Sequence, residues 1–307
     1  SDGMFRGDLI SLLYDPGYFP ALLDSEGDKN EPRNGGVPQE GNMTKHIDSL
    51  RETLYELMPD RKFTGIGVID FEHWRPIWRE NWGILDKYRK YSVSMERNRH
   101  PKMNKEELEK KASKRFEAAA KQFMMQTIMF AKKLFPRASW GYYGYPFCFN
   151  YKPRNGKLSC TDEVIEDNNR SKWLFKESTA LFPSMYLREK NMNTQSNIQY
   201  IEGRMKEARR IAVNYNIPIY AYASHKYTDS DTFLSPEDLK NSLLVPKRAG
   251  ADGVIIWGAS KDLSSQEKCS SAYDYLMTVI GPAVKTVLQD TEKNEEEFQG
   301  IFNIFGR

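Results

Sequence analysis

Apolar residues along this chain fall into short compact runs and longer helical stripes, and the two patterns alternate. "LISLLY" (9–14) predicts a strand, and the Gly/Pro/Asn-rich stretch that follows it through residue 42 predicts a loop. Ile47, Leu50, Leu54 and Leu57 then share one face at helical spacing. "GIGVIDF" (65–71) predicts the next strand, followed by a long loop carrying Trp74, Trp78 and Trp82. A long helix begins near Asn104, which together with Glu107 has the spacing of a capping box. Its stripe runs Leu108, Ala112, Phe116, Ala119, Phe123, Thr127, Phe130 and Leu134, and Pro136 ends it. A stripe of about four heptads that stands alone predicts a helix packed on a sheet, not a coiled coil.

Further strands are predicted at "SWGYYGYPF" (139–147), "ALFPSMYL" (180–187), "IPIYAYAS" (217–224) and "DGVIIWG" (252–258). Between them lies a helix with Ile198, Ile201, Met205, Ala208 and Ala212 on one side, then a second that starts at Ser235-Pro236 and closes at Gly250. Pro246 should kink or shorten that second helix. A C-terminal helix is expected around 264–289, and the Glu- and Asn-rich stretch 290–307 reads as a flexible tail. Strands alternating with helices imply a mainly parallel sheet. Short buried strands separated by helices favour a (β/α) barrel over an open sheet, with six strands visible where a closed barrel usually has eight. No break in composition marks a second domain, so residues 1–307 are expected to form a single one.

Composition narrows the function. With 39% hydrophobic and 13% aromatic residues the chain is globular with a real core, and aromatics also make good platforms for sugar rings. Lys and Arg number 45 against 42 Asp and Glu, a net charge of +3, which gives no nucleic-acid footprint. No run approaches the length of a membrane span. The three cysteines cannot all pair within the chain: Cys148 and Cys160 are close enough to staple a short loop, which leaves Cys269 alone. Asn42-Met-Thr and Asn169-Arg-Ser are N-glycosylation sequons. The four histidines (46, 73, 100 and 225) show no ligand spacing, so neither a metal site nor a cofactor is expected.

The chemistry stands at "GVIDFEHWRP" (67–76), where an apolar run ends in Asp70 and Glu72 and is followed by Arg75. Residues i and i+2 of a strand share a face, so the two carboxyls should lie side by side, and one should hold its proton to a higher pH than an isolated acid. Alone, a D-x-E is more often a strand end reaching water. In a (β/α) barrel, however, chemistry sits at the carboxyl ends of strands. The ends here are Tyr14-Asp15-Pro16, Asp70-Phe71-Glu72, Tyr143-Gly144-Tyr145, Tyr186, His225 with Tyr227, and Trp257. A carboxylate pair ringed by tyrosines and a tryptophan suits a carbohydrate-cleaving cleft.

Five stretches carry a resemblance: "YDPGYFPALL" (14–23), "NGGVPQEGNMTKH" (34–46), "GIGVIDFEHWRPIWRENW" (65–82), "WGYYGYPFCFN" (140–150) and "GADGVIIWG" (250–258). "FPSMYLREK" (182–190) and "GRMKEARRIA" (203–212) support them. The chain resembles the hyaluronidase family of glycoside hydrolases, specifically its insect venom and saliva members. The resemblance implies a distorted (β/α) barrel of the TIM type with seven strands, the first of which precedes the point where this chain begins. It also implies that Cys148 and Cys160 form a disulfide, and that Cys269 matches a cysteine whose partner lies in that earlier region.

By the same resemblance Glu72 is the general acid and then the general base at a β-1,4 bond, and the substrate's own acetamido carbonyl is the nucleophile. Asp70 would orient that amide and raise the proton affinity of Glu72. Tyr143 and Tyr186 would hold the acetamido group, Trp257 would wall its subsite, Tyr14 would touch substrate, and Arg75 would pair with a cleft carboxylate or meet a glucuronate. Each has a plainer reading, Arg75 as a structural partner and Trp257 as a core residue. The implied protein is a secreted monomer that acts on hyaluronan, and on chondroitin more slowly, with no nucleic-acid or membrane partner. One departure stands out. "AYASHKYTD" (221–229) has Ser224, His225 and Thr228 where the family usually carries Trp, Tyr and Gln. Thr228 reaches less far and offers fewer donors than Gln. That opens the rival expectation of a catalytically impaired relative that only binds glycan.

Overall fold

The computed structural model describes residues 9–25, 28–153, 156, 158–190 and 192–290, so the expected tail lies outside the described residues from 291 onward. The chain divides into two compact units, Ser1–Tyr143 with Glu166–Leu181, and Gly144–Ile165 with Phe182–Arg307.

In the first unit β1 (Ile10–Tyr14) is followed by a hairpin, β2 (Ala21–Ser25) and β3 (Asp28–Arg33), in antiparallel register. The Gly/Pro/Asn-rich stretch had read as loop throughout, so this hairpin is a correction. Helix α1 (Met43–Leu57) follows, capped by the Asn42 side chain, which accepts from the Lys45 N–H at 2.9 Å. Next comes β4 (Ile66–Asp70), then α2 (Asp86–Arg99), which occupies part of the expected tryptophan loop. Helix α3 (Lys105–Leu134) opens with the expected capping box and ends at Phe135, just before Pro136. Its buried face drifts across the predicted stripe, through Ala120, Met124, Ile128 and Ala131, as 3.6 residues per turn requires over eight turns. Strand β5 (Ser139–Tyr142) completes a parallel sheet in the order β1-β4-β5. Helix α4 (Asp162–Arg170) begins in the second unit and ends in the first, where α5 (Lys172–Glu177) follows.

The core of this unit lies beneath the end of β4. Phe71 stacks on Phe19 at 4.0 Å between centroids and meets the edge of Trp74 at 4.7 Å, and Trp74 in turn meets Phe116 at 5.9 Å. All four rings are buried, and the Trp74 indole N–H donates to the Pro20 carbonyl at 2.8 Å, so its one polar atom is satisfied.

In the second unit α6 (Thr194–Tyr215) precedes β6 (Tyr220–Ser224), then α7 (Pro236–Arg248) and β7 (Gly253–Trp257), and the two strands pair in parallel. Ser235 caps α7, whose chain passes through Pro246 and stops two residues later. The predicted strand at 180–187 is an extended segment joined to β6 by a bridge between Ser184 and Tyr222, not a full ladder. Cys148 and Cys160 form a disulfide, and Cys269 is half-buried with no disulfide partner among the described residues. Helix α8 (Gln266–Tyr275) runs through a π turn into helix at 281–290. Strand β7 is only half-buried along its length and borders an apolar groove lined by Leu243, Val254, Ile256, Val284, Val287 and Leu288. No described helix is long and apolar enough to cross a membrane.

Candidate active site

Parallel pairing brings the carboxyl ends of β1, β4 and β5 to one edge of the first unit. Tyr14 pairs with Asp70 and Ile69 with Tyr142, and the ladder extends one step further on each side. The Asp15 N–H donates to the Asp70 carbonyl at 2.8 Å, and the Tyr143 N–H to the Ile69 carbonyl at 3.0 Å. Tyr14, Asp15, Asp70, Glu72 and Tyr143 are thereby gathered from three strands. Tyr14 is exposed and Tyr143 half-buried.

Asp70 is the last residue of β4, whereas Glu72 lies in the loop beyond it, so the pair is not held by strand alternation alone. Phe71 does the holding: its ring is buried against Phe19 and Trp74, which turns its two neighbours away from the core. Both acids hold protons more tightly than usual. Burial, repulsion from Glu72 and the negative charge of Asp15 push Asp70 up to about 7. Glu72 keeps contact with solvent, yet protein crowds its carboxyl, and this burial raises it against the opposing charges of Arg75 and His73. The like-charge effect therefore falls on Asp70, while the rise at Glu72 comes from its surroundings.

Arg75 is built into its own loop. Its Nη1 donates to the Glu80 carbonyl at 2.7 Å, and its backbone exchanges bonds with the Asn81 side chain at 2.8 and 2.9 Å. The guanidinium also lies 5.2 Å from the exposed Trp82 ring. Arg75 thus has the contacts of a structural partner, and its charge still reaches Glu72.

Behind the pair stands a group that sequence reasoning passed over. Asp15 takes a positive φ of 42°, a conformation Asp tolerates better than most residues. Its carboxylate accepts two bonds from Arg33, at 2.5 and 2.8 Å, and one from His73 Nε2 at 3.1 Å. Burial acts to raise Asp15, but the bonds and charges of His73 and Arg33 outweigh it, and its pKa falls below the usual value. Arg33 lay in a stretch read as loop, and His73 had been considered only as a metal ligand.

In the second unit Tyr186 and Trp257 stack, with centroids 5.9 Å apart and planes at 25°, and both are half-buried. His225 Nδ1 donates to the Trp257 carbonyl at 3.1 Å, and Nε2 lies 3.4 Å from Asp262. The Thr228 hydroxyl donates to the Leu187 carbonyl at 3.1 Å, so it is turned onto the backbone. Asn42 and Asn169 are both exposed, the first capping α1 and the second on α4.

A sequence model described as hyaluronidase matches residues 2–298. Hyaluronidase A of Vespula vulgaris is 44% identical over 288 residues, covering 93% of this chain and 87% of its own length. The hyaluronidase of Apis mellifera is 42% identical over 295 residues, 95% of this chain and 77% of its own length. The crystal structure of bee venom hyaluronidase in complex with a hyaluronic acid tetramer superposes with a TM-score of 0.89 at 42% identity, over 93% of this chain and 89% of that one.

Proposed function

The chain belongs to the hyaluronidase family and is a glycoside hydrolase, and from that premise we propose that it cuts hyaluronan as an endo-β-N-acetylhexosaminidase. The observation that carries this reading is the acid pair itself. Asp70 and Glu72 stand together at the ends of parallel strands, both with raised proton affinity, so that between them they keep a proton through the weakly acidic range.

In the first step Glu72 gives its proton to the glycosidic oxygen, and the acetamido carbonyl oxygen of the same sugar attacks the anomeric carbon as the bond to the leaving oxygen breaks. The reacting form of the pair is the one whose single proton sits on Glu72, and in it the ionised Asp70 stabilises the positive charge of the resulting oxazolinium ring while accepting from the amide N–H. In the second step Glu72, now a carboxylate, takes a proton from the water that opens the ring, and the configuration at the anomeric carbon is retained. Tyr143 supports the acetamido group, Tyr14 meets the sugar chain, and Arg75 offers a positive charge to glucuronate. The Tyr186–Trp257 stack gives the second unit an aromatic sugar-binding face. The scaffold is a distorted (β/α) barrel of the TIM type. The disulfide fits an oxidising compartment, and the protein acts outside the cell as a monomer.

A non-catalytic glycan-binding role is favoured only by Thr228, whose hydroxyl is spent on the Leu187 carbonyl. Release of reducing-end N-acetylhexosamine from hyaluronan between pH 3.5 and 7.5 separates the two. Release by the parent and none by Glu72→Gln supports the hydrolase. A folded parent that binds hyaluronan without releasing it leaves the binding reading in its place.

A further inference from the structure

The extended segment that carries Tyr186 also carries a cation. Burial alternates along it: Met185 and Leu187 are buried, Tyr186 is half-buried and Arg188 is exposed, so Tyr186 and Arg188 share the outward side. Two residues of extended chain set them roughly 7 Å apart. The Arg188 guanidinium lies over the Tyr151 ring, 4.2 Å from its centroid. Tyr151 in turn lies beside Arg204, 4.9 Å away, whose Nη1 donates to the Ser184 carbonyl at 2.5 Å and whose Nε donates to Asn150 Oδ1 at 3.0 Å. The backbone on either side of Arg188 is clasped by the turn after β6. The Thr228 N–H and hydroxyl both donate to the Leu187 carbonyl, at 2.9 and 3.1 Å. The Asp229 carboxylate accepts from the N–H groups of Glu189 and Lys190, at 2.8 and 3.1 Å. Thr228, the residue that departs from the expected Gln, is therefore half of the clasp that fixes Arg188.

We infer that Arg188 is a specificity residue: it takes the carboxylate of the glucuronate next to an acetamido sugar seated on Tyr186 and Trp257. The inference rests on the reading of the chain as a hyaluronan hydrolase and names the group that tells an anionic chain from a neutral one on this face. A guanidinium resting on an aromatic ring is held without spending its N–H groups, and their planar fork matches a carboxylate. Among the described residues no carboxylate forms an ion pair with Arg188, and the neighbouring Asp229 is occupied by its two backbone donors. In hyaluronan every acetamido sugar is joined to a glucuronate. A ring seated on the aromatic pair thus brings a carboxylate to the side on which Arg188 stands. A neutral chain of acetamido sugars offers the aromatic pair the same contact and Arg188 nothing.

The test is calorimetric binding of two probes, a hyaluronan octasaccharide and the same oligosaccharide with its carboxyl groups reduced to alcohols. Both are titrated into the full chain carrying Glu72→Gln, so that turnover does not intervene, with and without Arg188→Gln. Arg188→Gln should weaken the hyaluronan probe about fivefold at low salt, and less at high salt, while leaving the reduced probe unmoved. Arg188→Lys, which keeps the charge without the planar fork, should recover part of the loss. An equal fall for both probes marks Arg188 as a structural residue and overturns the inference, as does an unchanged affinity for hyaluronan. If Arg188→Gln does not fold, Arg188→Met, which keeps an apolar stem on Tyr151, replaces it with the same expected contrast. A protein that binds neither probe overturns the hydrolase reading and this inference together. A protein that binds and, with Glu72 restored, cuts hyaluronan, but whose Arg188 variant still separates the two probes as well as the parent does, overturns the inference alone.

Discussion

Gly67 of β4 lies flat against the indole of Trp140 on β5, so closely that a Cβ built on Gly67 would overlap the six-membered ring. Trp140 cannot retreat, because it is fully buried and its indole N–H donates to the Phe135 carbonyl at 3.1 Å. Gly67→Ala must push the two strands apart three residues before Asp70. The expected cost is about 3 kcal/mol, read as a lower denaturant midpoint with the slope unchanged. Hydrolysis of hyaluronan should fall even where the variant is fully folded, because the strand end that carries Asp70 has moved.

Asp70→Asn should be more stable than the parent at neutral pH while losing activity. The folded protein raises Asp70 from 3.8 to about 7, so between those values it keeps a proton that the unfolded chain releases. Stability attached to Asp70 is therefore present below about pH 4 and lost as the pH rises towards 7. Asparagine does not titrate and escapes that loss. Allowing for solvent screening of a half-buried group, the gain at pH 7.5 is on the order of 2 kcal/mol and shrinks to nothing near pH 4. Unfolding midpoints measured across that range check it, with a uniform difference between the two proteins as the contrary result. Turnover should fall by about a hundredfold or more.

His46 sets the opposite limit. It is fully buried, its Nδ1 accepts from the Tyr18 N–H at 3.0 Å, and its Nε2 donates to the Thr127 hydroxyl at 2.8 Å, a neutral arrangement. Burial, then the charge of Arg33, lowers its pKa from 6.5 to about 4. The contribution is full above pH 6.5 and is lost as the pH falls through 4, on the order of 3 kcal/mol. Acid that loads Glu72 with its proton thus also loosens α1 from the Tyr18 backbone. His46→Gln should be less stable at pH 7 and show a flatter thermal profile down to pH 4. A profile as steep as the parent's would place the acid-sensitive group elsewhere.

How far these features could be read beforehand depended on whether their causes were local. Asn104 and Glu107 announce α3 because a cap is a contact across three positions, and the D-x-E announces itself because its residues are neighbours. Helix α2 was missed because its buried face is Tyr88, Ser92 and Glu96, a polar stripe with no apolar period. Glu96 is buried there against Arg115, which reaches it from α3, with Arg99 of its own helix and His100 also close by. The hairpin β2–β3 was hidden by Asn30, Pro32 and Asn34, which punctuate as a loop does. The Arg33–Asp15–His73 group spans 58 positions between Asp15 and His73, and only the pairing of β1 with β4 brings the ends together. No spacing in the sequence signals it.

Trp257 separates a sugar-binding face from an ordinary core residue. Its ring stacks on Tyr186 and stays half-buried, while its carbonyl is held by His225. A tryptophan serving only as core would be deeply buried, and its loss would appear chiefly as instability. A sugar platform loses binding instead, about 1–3 kcal/mol by analogy with base stacking on aromatic side chains. Trp257→Ala should therefore raise KM for hyaluronan by about tenfold or more, with a smaller change in kcat, and Trp257→Phe should recover most of it. An unchanged KM in folded Trp257→Ala, together with a lower unfolding midpoint, would return Trp257 to the core and leave glycan binding to other residues.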